Sequence, residues 1–220
     1  MSKTNENVKE SRKPDKAHHL LFNTIAPIYG LFFGKQKRKF SEVIDRVQPE
    51  LDLASFSTIL DVGCGTGALC SVLQQKGLTV TGIEPAEKML SIAKRKTRGQ
   101  DINLLQANVL EGLPFKDNSF DIAIASYVAH GLVPEKRKRL YKEMGRVTKD
   151  FVVIYDYNQK RSALTSLVEW MEGGDYFRFI KGAEREMKGC ITELKSCFSS
   201  VRVVNADVRA AWYICTPLQH

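Results

Sequence analysis

Residues Ser57 to Leu69 read STILDVGCGTGAL, and no other stretch limits the fold so tightly. A β-rich apolar run, Thr58 to Leu60, meets Asp61 and then glycines at 63, 65 and 67. Ala68 opens a helical pattern that runs to Lys76 and stops at Gly77. The order is strand, tight loop, helix. Glycine accepts backbone angles that a Cβ forbids, and it lets a ligand come close to the main chain. The helix N-terminus directs its N–H groups at whatever sits there. Such a turn makes a nucleotide-type pocket at the carboxyl end of a parallel strand.

Gly63, Gly65 and Ala68 also satisfy the dinucleotide pattern G-x-G-x-x-A. Two details point to another ligand. Asp61 stands two residues before the first glycine, where an acid accepts from an amino-acid ammonium group. Gly67 adds a glycine that the dinucleotide pattern does not place. The block D-x-G-x-G-x-G, Asp61 to Gly67, resembles motif I of the class I S-adenosylmethionine-dependent methyltransferases. On that resemblance Asp61, Gly63, Cys64 and Gly65 are read as cofactor-binding. Cys64 suits a small filler of the loop better than a nucleophile.

The spacing downstream agrees. Thr79 to Ile83 is a second strand, ending in Glu84, about 20 residues past the first glycine. A carboxylate there accepts from both ribose hydroxyls. Pro85 stops the strand and suits a helix start. Ala86 to Lys96 follows as a helix with Met89, Leu90, Ile92 and Ala93 as apolar positions. Gly82 to Leu90 matches the G-x-[DE]-x-x-x-x-M-L pattern of the resembling families, which implies Pro85 and Met89 beside the cofactor, Met89 near the adenine. Met89 as core filler is the alternative. Ile102 to Gln106 is a third strand. Asn108 stands where the pattern usually has Asp, and its carbonyl oxygen can still accept from the adenine amino group. The N–H of Val109 would face an adenine ring nitrogen.

Leu113 to Ser126 resembles the L-P-F-x-D-x-S-F-D segment of the same superfamily, with a turn at Asp117–Asn118 and a buried strand at Ile122 to Ala125. Ser126 ends that strand at the ligand edge. His130 in the following loop is a candidate general base. Pro134 starts a basic helix, Glu135 to Val147. Phe151 to Tyr155 is the next central strand, and Asp156, Tyr157 and Asn158 fall where a strand end meets substrate. Ser162 to Met171 and Ala183 to Cys197 read as helices, Asp175 to Ile180 as an aromatic pocket or cap. Val201 to Asn205 and Ala211 to Cys215 read as a terminal antiparallel hairpin.

Before the glycine loop, His18 to Gly34 is apolar but interrupted by Pro27, Gly30 and Gly34. Its F-x-x-I-A-x-x-Y, Phe22 to Tyr29, resembles the N-terminal segment of methyltransferases related to the ubiquinone and menaquinone C-methyltransferases. The resemblance implies a lid, with Tyr29 facing the cofactor and shaping the methyl-transfer mouth. Lys35 to Val47 continues as an amphipathic helix. The expected organisation is a loosely ordered lead-in over 1–17 and a single domain over 18–220, with a helical lid at 18–50 and a core at 57–220.

Alternating strands and helices predict an α/β fold. The family implies a doubly wound, mostly parallel seven-stranded sheet. Five cysteines without a C-x-x-C spacing argue against a zinc site or disulfide framework and for a reducing cytoplasm. No apolar run reaches the ~20 residues that span a bilayer. The net charge of +8 is spread over short helical clusters, which suits solvated faces more than a nucleic-acid surface. The expected activity is methyl transfer from S-adenosylmethionine, leaving S-adenosylhomocysteine, to a small-molecule acceptor, with His130 and Tyr29 as catalytic candidates and no metal. An RNA or protein methyltransferase, a nicotinamide-dependent oxidoreductase and a non-catalytic cofactor-binding protein are the alternatives.

Overall fold

The computed structural model describes residues 30–158, 190–208 and 210–218. In chain order these residues form α1 (Phe33–Val47), β1 (Thr58–Val62), α2 (Ala68–Gln75), β2 (Thr79–Ile83) and α3 (Glu87–Lys96). Then come β3 (Ile102–Leu105), β4 (Phe120–Ser126), α4 (Pro134–Val147), β5 (Thr148–Tyr157), α5 (Cys190–Lys195), β6 (Phe198–Asn205) and β7 (Ala210–Pro217). The lead-in 1–17, residues 18–29 of the expected lid with Tyr29, Ser162 to Met171, Asp175 to Ile180 and residues 183–189 of the expected helix Ala183 to Cys197 lie outside the described residues.

Among the described residues seven strands form one sheet in the order β3-β2-β1-β4-β5-β7-β6. β1 to β5 are parallel, and β7 runs antiparallel between β5 and β6. The chain steps from β1 out through β2 to β3, then returns to place β4 on the other side of β1. Strand order therefore reverses between β1 and β4, and ligands of open α/β sheets settle at the carboxyl ends beside that point.

The central strands are continuous apolar runs because both faces are covered. Ile59, Ile122, Ile124 and Val153 face α1 and α2, through Val43, Ile44, Val47, Val72 and Leu73. Leu60, Ala123, Ala125, Val152 and Ile154 face α4 and α5, through Leu140, Tyr141, Met144 and Leu194. β7 is buried along its length, whereas β6, at the edge, buries only Phe198 and exposes most of its other residues, Arg202 among them.

Several boundaries differ from the sequence reading. β4 starts at Phe120 and β5 runs from Thr148 to Tyr157, because pairing with neighbours extends both past their apolar centres. α1 contains Gly34, the expected breaker, in its first turn. A Cβ added there would meet nothing within 4 Å, so packing does not require the glycine.

Candidate functional site

The loop after β1 is held by its own main chain. Gly63, Gly65 and Gly67 take φ values of +74°, +53° and +76°. The N–H groups of Gly63 and Cys64 both donate to the Ile83 carbonyl at 2.9 Å, which pins the loop across the end of β2. The three glycines have different reasons to be glycine. A Cβ on Gly63 would lie 2.8 Å from Val128 Cγ2, and one on Gly67 would lie 3.1 Å from Thr97 Cγ2. A Cβ on Gly65 would meet nothing within 4 Å. Gly65 thus presents bare backbone to open space, as a cradle for a ligand requires.

Glu84, just past β2, closes the cradle. Its Oε2 accepts from Gly65 N at 3.0 Å and its Oε1 from Ala86 N at 2.9 Å. Burial pushes this carboxyl up, and the two N–H donors pull it back. Each oxygen keeps a second lone pair, so the carboxylate can still receive two hydroxyl donors. Ser126, at the carboxyl end of β4, has a buried Oγ with no partner among the described residues. An orphaned hydroxyl and a bare Gly65 on one sheet edge fit a polar, sugar-bearing cofactor.

Asp61 lies inside β1 and is almost wholly buried. Its Oδ2 accepts from the Cys70 thiol at 3.1 Å. Burial pushes its carboxyl up to about 7, the Cys70 thiol opposes that, and the nearby Glu84 charge adds to it. Cys64 turns its sulfur inward, 3.1 Å from where a Gly82 Cβ would stand, with the Cys70 sulfur 2.8 Å from the same point. Gly82 is therefore a packing glycine. The Cys70 hydrogen bond lowers the Cys64 thiol, but burial and the two carboxylates outweigh it and hold the thiol neutral. That is the filler role and not the nucleophile.

The other cofactor-side candidates occupy the same edge. Pro85 lies in the bend between β2 and α3, and its carbonyl accepts from Gln106 Nε2 at 3.2 Å. Met89 packs with Ala86 and Ile92 on the inner side of α3. Asn108 Oδ1 accepts from Leu110 N at 3.1 Å and its Nδ2 donates to Glu111 Oε1 at 2.9 Å. Asn108 thus caps the turn Val109–Glu111 and keeps one oxygen lone pair. α1 reaches the loop through Thr66 Oγ1, which donates to Gln36 Oε1 at 2.7 Å.

Past β4 and β5 the site is made of side chains. His130 sits in the turn Ala129–Gly131, with Nδ1 2.9 Å from Asp156 Oδ1. Its backbone N–H donates to Asp156 Oδ2 at 3.1 Å. Tyr127, at φ +57°, donates its N–H to the Tyr155 carbonyl and its hydroxyl to that of Tyr155. Its ring centroid lies 4.9 Å from Tyr155 and 5.4 Å from Tyr157. The sequence marked Asp156 and Tyr157 as edge residues but did not pair Asp156 with His130, 26 residues away. Asn158 turns elsewhere: its Nδ2 donates to the Val208 carbonyl at 3.1 Å, tying down the β6–β7 turn.

Residues 60–154 match the family model described as a methyltransferase domain, and the Rossmann-like parallel sheet, the glycine cradle after its first strand and the acid after its second have the arrangement of the class I S-adenosylmethionine-dependent methyltransferase fold. S-adenosylmethionine is the cofactor of that class. The chain is 32% identical over 130 residues to an uncharacterised methyltransferase of Oceanobacillus iheyensis, covering 58% of this chain and 60% of that protein. It is 38% identical over 109 residues to the demethylmenaquinone methyltransferase of Staphylococcus aureus, covering 47% of this chain and 44% of that one. The chain therefore spans only part of the length of the curated relatives it matches. The magnesium protoporphyrin IX methyltransferase of Synechocystis, solved with bound S-adenosylhomocysteine, superposes with a TM-score of 0.57 at 16% identity, covering 83% of each chain. A methyltransferase of Aquifex aeolicus gives 0.56 at 20% identity, over 83% of this chain and 98% of that one. At these identities the structures share the fold.

Proposed function

We propose that this chain transfers the methyl group of S-adenosylmethionine to a small-molecule acceptor. The observation that carries the reading is the open backbone of Gly65 beside the Glu84 carboxylate. In this reading Glu84 takes the ribose hydroxyls, and Gly63, Cys64 and Gly65 line the cradle with their main chain. Asp61 takes the ammonium group, Asn108 and Val109 take the adenine edge, Pro85 and Met89 flank the adenine, and Ser126 bonds the cofactor with its unpartnered hydroxyl. Tyr29, outside the described residues, keeps the mouth-shaping role that the resemblance implies.

The cofactor supplies a methyl group already activated on a sulfonium. The protein's work is alignment and exclusion of water, which can supply ~7–11 kcal/mol of the barrier. His130, mostly buried at the ends of β4 and β5, is the general base for an acceptor that must lose a proton. The names of the quinone and porphyrin methyltransferases among the similar proteins favour a small acceptor. The five cysteines, all unpaired thiols, favour a cytoplasmic setting.

Isothermal titration tests the reading. S-adenosylhomocysteine should bind at micromolar concentration and NAD should not. Binding of NAD alone would replace the reading with an oxidoreductase. A screen with labelled cofactor then separates small acceptors from bulk tRNA, and label in the tRNA would overturn the small-molecule assignment.

A further inference from the structure

We propose that the ends of β4 and β5 form an acceptor subsite in which Asp156 positions His130 as proton acceptor beside a tyrosine wall, and that it takes a hydroxyl borne on a flat conjugated ring. The proposal rests on the methyltransferase reading and gives it a substrate class.

Asp156 is fully buried near the carboxyl end of β5, yet no lysine or arginine among the described residues pairs with it. Its company is three N–H donors. His130 gives two of them, backbone N to Oδ2 at 3.1 Å and ring Nδ1 to Oδ1 at 2.9 Å. Tyr157 N gives the third, at 2.9 Å to Oδ1. One carboxylate thus grips the main chain and the ring of a single histidine. A buried carboxylate is costly to keep, and a turn needs no imidazole to be stapled. With Nδ1 donating to Asp156, the basic lone pair resides on Nε2. This is the arrangement of a base oriented by a third group.

The wall beside it is aromatic. The His130 ring lies 5.0 Å from Tyr157, and Tyr127 packs on both Tyr155 and Tyr157. Tyr127 holds a left-handed backbone that a tyrosine rarely adopts, yet the residue stays 38% exposed. A strained residue with an accessible ring at a ligand edge is a recognition element. Ring faces attract flat rings by offset or edge contacts. An alkylamine would arrive as a cation, and the oxygens of Asp156 that could attract it are buried and already hold three donors. A ring hydroxyl is neutral on arrival and needs what Nε2 offers.

The step balances. The acceptor O–H bond breaks and its proton goes to Nε2 of His130. The oxygen's electron pair forms the new O–CH3 bond, and the pair of the breaking C–S bond returns to sulfur, leaving a neutral thioether. His130 later gives the proton to water.

The probe is 4-nitrophenol, whose anion absorbs visible light and whose neutral form does not. It is titrated with the full chain, with and without S-adenosylhomocysteine, at a pH where the free probe is half ionised. The bound probe should be more ionised than the free one. His130→Gln and Asp156→Asn should each abolish that gain, and Tyr127→Ala should weaken probe binding ~10-fold. Affinity for S-adenosylhomocysteine should stay within ~2-fold in the three variants. Should burial of Asp156 make Asp156→Asn fail to fold, His130→Gln decides alone. A bound probe no more ionised than free, a gain that survives His130→Gln, or equal competition by benzylamine overturns the proposal. Failure of S-adenosylhomocysteine to bind wild type overturns the cofactor reading instead, and the probe spectrum without it still reads this one.

Discussion

The two halves of the ligand edge are built from different material. At the ends of β1 and β2 the ordering groups are mainly main-chain: three left-handed glycines and two N–H groups on the Ile83 carbonyl, with the Glu84 carboxylate held by the backbone of Gly65 and Ala86. At the ends of β4 and β5 they are side chains: His130, Asp156 and three tyrosines. Backbone geometry suits a ligand that never changes, because substitution elsewhere leaves it intact. Side chains can be exchanged singly, which suits the half proposed to meet a particular acceptor. Val128 joins the halves, since its Cγ2 fills the space above Gly63.

That contrast is breakable by mutation. Gly63→Ala should have the largest effect, because the new Cβ meets Val128 at 2.8 Å and the backbone is left-handed. Urea unfolding should show a loss of about 2–4 kcal/mol. Gly65→Ala, with open space around its Cβ, should lose only ~1 kcal/mol of stability while still losing cofactor affinity. Equal destabilisation by the two would mean that Gly65 is not a bare cradle.

Glu84→Ala strips Gly65 N and Ala86 N of their acceptor as well as removing the proposed ribose contact. Calorimetry should show S-adenosylhomocysteine binding ~30- to 100-fold weaker. Binding of a phenolic probe at the His130 side should not change. An unaltered cofactor affinity would remove Glu84 from the site.

The pH dependence follows from Asp61. Its folded pKa, raised to about 7 from 3.8, means that the native state holds a proton which the unfolded chain releases earlier. Its contribution to stability is therefore complete below about 4 and is lost as pH rises to about 7. Asp61→Asn should flatten that part of the stability profile, with a gain of about 1–3 kcal/mol over wild type at pH 8. If Asp61→Asn instead tracks the wild-type profile, the titration belongs to another group.

Tyr127→Phe should have the smallest effect. It removes the 3.2 Å hydroxyl contact to Tyr155 and keeps the ring, so thermal unfolding should register ~0.5–1 kcal/mol. A larger loss would mean that the hydroxyl pair, and not ring packing, organises the acceptor side.

Much of the structure at the ends of β1 and β2 was legible in the chain. β2 occupies Thr79–Ile83 as read, and Glu84 falls at its end because one strand-helix-strand step has a set length. The loop was legible because positive φ writes itself as glycine. The ends of β4 and β5 were only half legible. The polar run after Phe151 to Tyr155 marked a strand end, but nothing in it said that Asp156 would pair with His130 while Asn158 would serve the hairpin turn. Nor could apolar content tell that Cys64 and Cys70 crowd Gly82.

Local rules settled what the sequence alone could determine: the strand, glycine turn and helix order, and the distance to the acid. Those are properties of φ, ψ and chain length over a few residues. Tertiary structure alone decided that β7 enters between β5 and β6, and that a histidine, an aspartate and three tyrosines converge. Such meetings depend on which strands become neighbours and in what register, and that is set by the burial of both sheet faces at once.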